Sequence, residues 1–211
     1  MKKGKFRFHK WKKEFLRNKY LILASLVLLA FSLVVYNFAG IYVDSVATNE
    51  ITTDIIISNT APIDLGFLYN WGYLIVILSL LLYPLVFRIK DFHIVVSQLS
   101  ILVLVRDIFL CLTPVKTPID TTFTLSSYIG LGFQHDLFFS GHTAIPFLGF
   151  LLFKESKIRW FFLAASIILG ATVLLMHAHY SIDVASAFFI TYGTFRMSAW
   201  LFKRLKRPDW I

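Results

Sequence analysis

Long apolar runs, separated by short charged or polar breaks, dominate the chain. Runs near 20–40, 67–87, 92–113, 137–153, 159–177 and 181–202 reach or approach the roughly 20 residues that take a helix across a hydrocarbon layer about 30 Å thick. The fourth run is the shortest. The breaks are of two kinds. Arg88 to Asp91 and Lys154 to Lys157 are short charged turns, whereas about 41–66 and 114–135 are longer and rich in Thr, Asn, Asp, Pro and Gly. The pattern predicts an all-α integral membrane protein, a bundle of six transmembrane helices without repeats, low-complexity tracts or a separate soluble domain.

Composition agrees with the pattern: at 57% apolar and 17% aromatic residues, a chain of this size cannot hide its apolar surface from water, so the bilayer must be its solvent. The net charge of +9 is informative through its placement. All but two of the 21 Lys and Arg, Arg106 and Lys116, fall before residue 20, at 88–90, at 154–159 or after residue 195. By the positive-inside rule both termini are cytoplasmic. The segment 41–66 brings Asp44, Glu50, Asp54 and Asp64 to the opposite side with no basic residue.

Three segments follow: a basic cytoplasmic or interfacial stretch 1–19, a membrane domain 20–202 and a basic tail 203–211. The first, with Phe6, Phe8, Trp11 and Phe15 among its lysines and arginines, suits an anionic inner leaflet and needs no nucleic-acid partner. The apolar run after it is long and lacks a small-residue cleavage site, so it is expected to remain as an anchor. Cys111, the single cysteine, offers neither an internal disulfide nor a thiolate cluster.

The candidate chemistry sits at the outer ends of the spans. Ser140-Gly141-His142-Thr143 opens span four, and His179-Tyr180-Ser181-Ile182-Asp183 forms the short return from span five into span six. Topology puts both histidines at one depth on one side. Helical i to i+4 spacing lets Asp183 reach the His179 imidazole, which fixes its tautomer and sharpens its second nitrogen as a nucleophile. Phosphoryl transfer through such a histidine needs an acid for the leaving oxygen, for which His142 stands, and groups for the phosphoryl oxygens, for which Arg106, Ser140 and Gly141 stand.

Asp136-x-x-x-Ser140-Gly141-His142-Thr143, followed by Ala178-His179-Tyr180-Ser181-Ile182-Asp183-Val184, resembles the paired signature motifs of the sphingomyelin synthase family, within the wider phosphatidic acid phosphatase type 2 superfamily. The resemblance runs from about Arg106 to Tyr192. It implies a six-span bundle, a metal-independent and cofactor-free reaction at the exoplasmic face, and a triad of His142, His179 and Asp183 in which the second histidine is phosphorylated, with Asp136 and Tyr180 in support. The chain departs from ordinary lipid phosphatases of the superfamily: no Lys-x6-Arg-Pro motif precedes Ser-Gly-His, Phe139 replaces a proline and Val173 an arginine. It also lacks the paired arginines of the animal sphingomyelin synthases.

Competing readings accompany several of these residues. Arg106, about 10 Å inside the outer end of span three, meets either a phosphate or a structural carboxylate. Asp136 either caps span four or polarises a histidine, the cap being favoured. His135 and His177 read as exposed interface histidines. A zinc site of His142, His177 and His179 lacks a recognised metal spacing. Tyr128, Phe133, Phe138 and Phe139 form either a cage for a choline-like cation or interfacial anchors. Spans three, four and six are expected to converge on an outward-facing pocket, most simply in a prokaryotic plasma membrane.

The expected activity is transfer of a phospho-head group from a phospholipid donor to a lipid alcohol, ceramide or diacylglycerol, through a phosphohistidine. Water as acceptor would make the same site a phosphatase or a phospholipase C-like hydrolase. A non-enzymatic membrane scaffold is the rival from another class.

Overall fold

The computed structural model describes residues 2–47, 53–118, 133 and 135–204. Among these residues six long helices occur where apolar runs are found: α1 Lys2–Val46, α2 Tyr73–Phe87, α3 Phe92–Leu112, α4 Gly141–Leu152, α5 Ile158–Leu175 and α6 Ser181–Arg204. A π-helical turn, Leu68–Gly72, leads into α2. No strand occurs among the described residues. Four segments are long and apolar enough to cross a membrane: Phe8–Val46, Leu68–Phe87, Ile89–Leu112 and Ile158–Leu175. With 12 residues, α4 reaches only about 18 Å. The 24 residues of α6 include Asp183, Thr191, Thr194, Arg196 and Ser198.

The polarity of α6 is turned inward. Thr191, Thr194 and Ser198 are buried, while Ile182, Phe189, Met197 and Trp200 are exposed. Ser198 Oγ donates to Gln98 Oε1 of α3 at 2.6 Å. A helix with its apolar face outside and its hydroxyls inside is what a bilayer selects, because lipid contributes no hydrogen bonds and small polar residues hold helices together. A multi-pass membrane protein results.

No break near residue 20 divides a separate N-terminal segment from the first span: α1 runs unbroken for 45 residues, about 68 Å. Along α3 it buries Ile22 and Val43. Near its start, Trp11 Nε1 donates to the Leu85 carbonyl at the end of α2.

Hydrogen bonds sort the connections to two ends of the bundle. At one end Tyr83 meets Ser156, and Arg88 pairs with Asp91. At the other, Asp54 meets Ser181, the Ile63 N–H reaches the Leu175 carbonyl, Tyr180 reaches Lys116, and the His135 N–H reaches Asp44. Turns rich in Lys and Arg thus occupy one end, and the acidic segment with the candidate motifs the other.

The core is assembled from Leu80, Leu102, Phe139, Leu148, Phe162 and Leu169. The closest approach of α4 and α5 depends on Gly149, where an added Cβ would meet the Phe162 ring. Phe162 is fully buried and has nowhere to retreat. Gly149→Val is therefore expected to destabilise the bundle by about 1–3 kcal/mol through overpacking, read as a lower unfolding midpoint in detergent. Gly193→Ala, which meets nothing within 4 Å and replaces a helix-interior glycine, should not lower the midpoint.

Candidate active site

The α5–α6 turn is built on backbone bonds that present His179. At the end of α5 the Ala178 N–H bonds to the Val173 carbonyl at 2.9 Å and the His177 N–H to the Leu174 carbonyl at 3.0 Å. This is the paired closure of a Schellman turn, which needs a left-handed residue, usually Gly. His177 fills that position at φ 53°, a strained conformation for a side chain, costing about 1–2 kcal/mol. Its Nε2 lies 3.1 Å from Thr60 Oγ1, and the residue is 4% exposed. The expectation of an exposed His177 is thus corrected. His135 is half-buried, its Nδ1 accepting from the Thr117 N–H at 3.4 Å.

The contact between His179 and Asp183 is present, by a different route from the one the spacing suggested. Helix α6 begins at Ser181, so His179 precedes it and the two residues do not share a helical face. Asp183 instead folds back over the helix start: its Oδ2 accepts from the Tyr180 N–H at 2.9 Å and lies 3.3 Å from His179 Nδ1. An acidic side chain three residues into a helix that satisfies the capping residue's N–H is half of a capping box, favoured by the positive end of the helix dipole. His179 and Asp183 are 3% and 2% exposed, and Nε2 is the nitrogen left for chemistry.

His142 occupies the first turn of α4, with its ring centroid 6.4 Å from that of His179. The two helix starts are tied directly, the Ser140 N–H donating to the Asp183 carbonyl at 3.1 Å. Ser140 is fully buried, with its Oγ 3.4 Å from Thr143 Oγ1. Span two also reaches the site. The His142 imidazole has Tyr69 and Tyr73 at centroid distances of 4.0 and 4.1 Å.

Arg106 projects from α3, and each of its three guanidinium nitrogens meets a protein acceptor. Its Nε donates to the Phe139 carbonyl at 2.7 Å, Nη1 pairs with Asp136 Oδ1, and Nη2 reaches the Asp136 carbonyl at 3.3 Å. The other Asp136 oxygen accepts from the Tyr36 hydroxyl of α1 at 2.8 Å. Of the two readings of Arg106, this geometry takes the carboxylate partner. The favoured cap reading of Asp136 is corrected as well: Ser140 holds the N-cap position of α4, without a side-chain cap bond. Gly141 adjoins this network, since a Cβ there would stand 3.3 Å from the Tyr73 hydroxyl and 3.6 Å from Arg106 Nε.

A cavity of about 410 Å³ lies beside the site, lined among others by Asp54, Thr113, Phe138, Tyr180, Ser181 and Asp183. It reaches the candidate triad through Asp183, and neither His142 nor His179 lines it. Of the proposed aromatic cage, Phe138 alone borders this space among the described residues. Phe139 is core, Phe133 packs on Tyr36 of α1, and Tyr128 lies outside the described residues.

Sequence reasoning did not single out four residues near the site. Asp54 accepts from the Ser181 N–H at 2.7 Å and from its Oγ at 2.6 Å. Burial opposes its charge, but these bonds and those from the Ile57 and Ile56 N–H groups hold its carboxyl below the ordinary 3.8. Tyr69 and Tyr73 carried a signal, two tyrosines four apart at the outer end of a span. Asp107, next to Arg106, is 2% exposed, and neither of its carboxyl oxygens makes a hydrogen bond among the described residues.

The family described as PAP2 superfamily C-terminal matches residues 135–200, a stretch holding His142, His179 and Asp183. Over that stretch the chain is similar to the PAP2 superfamily. No curated protein and no solved structure matches the chain.

Two measurements test the frame around the site. Asp136→Leu strands the Arg106 charge and should cost about 3–5 kcal/mol, whereas the joint change Arg106→Leu with Asp136→Leu should cost less than Asp136→Leu or Arg106→Leu alone; unfolding of these three variants in detergent decides. Because the Asp54 carboxyl is held low, its contribution to stability is complete above pH 3.8 and is lost as pH falls through the lower folded value. Asp54→Asn should flatten that acid limb in thermal unfolding measured against pH.

Proposed function

We propose that the chain is a sphingomyelin synthase-like lipid phosphotransferase that moves a phospho-head group from a phospholipid to a lipid alcohol. The observation that carries this reading is the pair of imidazoles 6.4 Å apart, one of them backed by a carboxylate, a separation with room for one phosphoryl group. His179 Nε2 attacks phosphorus while the bond from phosphorus to the diacylglycerol oxygen breaks, and His142 gives its proton to that oxygen. In the return step the acceptor hydroxyl loses its proton to His142, its oxygen attacks phosphorus, and the phosphorus–nitrogen bond to His179 breaks. Asp183 keeps the His179 proton on Nδ1 throughout. The free N–H groups in the first turn of α4, with Ser140, face the phosphoryl oxygens.

The state of Arg106 supports a diester substrate. A guanidinium already balanced by Asp136 offers little to the second charge of a phosphate monoester, whereas a phosphodiester brings one. Burial of His179 and Asp183 favours a lipid alcohol over bulk water as acceptor. The acidic end of the bundle, where the site lies, faces outward under the positive-inside rule.

The test is purified protein in liposomes with a head-group-labelled phospholipid, with and without ceramide or diacylglycerol. Label in a new lipid is the expected result. Label released to water makes the chain a hydrolase, and no product from any donor makes it a scaffold. His179→Ala and Asp183→Asn should abolish transfer, and His142→Ala should lower it about 10²- to 10⁴-fold, all three without loss of folding; full activity in any one refutes its role.

A further inference from the structure

The part of the site least explained by the two motifs is what surrounds His142. Its imidazole lies at 4.0 Å and 30° from the Tyr69 ring and at 4.1 Å and 29° from the Tyr73 ring. At such separations two rings sharing one face would overlap, so the tyrosines flank the imidazole. Both come from the start of span two, where the backbone departs from α geometry in the π-helical turn Leu68–Gly72. Turns of this kind concentrate at functional sites. Gly72 lets the turn sit against α5, since a Cβ there would stand 3.2 Å from Leu169.

We infer that Tyr69 and Tyr73 are positioning residues for the His142 general acid, clamping its imidazole between two aromatic faces and favouring its protonated form. The inference rests on the proposed role of His142. Aromatic faces carry negative potential and attract a cation held over them. The charged and titratable groups around His142 make such help necessary. Arg106 approaches from α3, with Asp136 behind it, and His179 approaches from the α5–α6 turn with Asp183 beyond it. No carboxylate is hydrogen-bonded to His142 among the described residues, whereas His179 has one. The two histidines therefore receive different support: a carboxylate for the nucleophile, and ring faces together with the Tyr69 backbone for the acid.

An acid matters in proportion to how badly the leaving group needs a proton, which gives the test. Turnover is compared on the phospholipid donor, whose alkoxide must be protonated, and on the p-nitrophenyl ester of the same phospho-head group, whose phenolate leaves unaided. Tyr69→Leu and Tyr73→Leu should each lower kcat on the phospholipid by on the order of tenfold or more, as partial loss of an acid worth 10²–10⁴. KM and turnover of the nitrophenyl ester should change little, and Tyr→Phe at either position should rescue. Equal losses on both esters, a loss confined to KM, or failure of Phe to rescue overturns the inference. If His142→Ala itself fails to discriminate between the esters, the role proposed for His142 is what fails.

A measurement without substrate stands beside it. The His142 ring protons, assigned through His142→Gln in detergent micelles, should show the upfield shift of two flanking aromatic rings and lose it in Tyr69→Leu with Tyr73→Leu. Unshifted signals in the parent protein refute the clamp directly.

Discussion

One carboxylate organises the reactive end of the bundle. Asp183 closes the start of α6 by accepting the Tyr180 N–H, and through the same oxygen it faces the His179 imidazole. Folding and orientation of the histidine are thereby one event. A helix start buried this deeply must satisfy its donors from within the protein, because an unpaired N–H in an apolar medium is costly. Asp54 meets the same requirement one residue further on, so the turn presenting His179 is pinned by two acidic side chains from distant parts of the chain.

The remaining polar groups follow the same economy. Arg106 would be expensive alone in the bundle, but its donors end on Asp136 and on the carbonyls of residues 136 and 139. This anchors the segment leading into α4 and so places His142. The backbone of Ser140 then bonds to that of Asp183, joining the two catalytic candidates through main chain instead of mobile side chains. His177 tolerates a left-handed backbone to make the tight closure at the end of α5.

What could be read from sequence and what could not divide along distance in the chain. The helices follow from apolar runs, and the meeting of His179 with Asp183 follows from a spacing of four, although the contact is made over a helix cap. Arg106 and Asp136 were both visible as candidates, but their pairing was not, because nothing in local pattern links a span to a loop residue 30 positions away. The bond from Ser181 to Asp54 crosses 127 positions. Tyr69 and Tyr73 were not singled out by the sequence, and only the packing of α2 beside α4 brings their rings against His142.

The shortness of α4 has a bearing on how a lipid would engage the site. Thr143 packs against Gly170, five residues before the end of α5 at Leu175, so this residue in the first turn of α4 lies about 7 Å beneath the tip of the neighbouring helix. Of the two candidate histidines, His142 therefore sits below the turn that carries His179. On the proposed reading, a phospholipid need not be hoisted toward water, which would expose its chains at about 0.8 kcal/mol per methylene. Its phosphate descends while its tails stay immersed, and the protein lowers the chemistry to the level of the lipid.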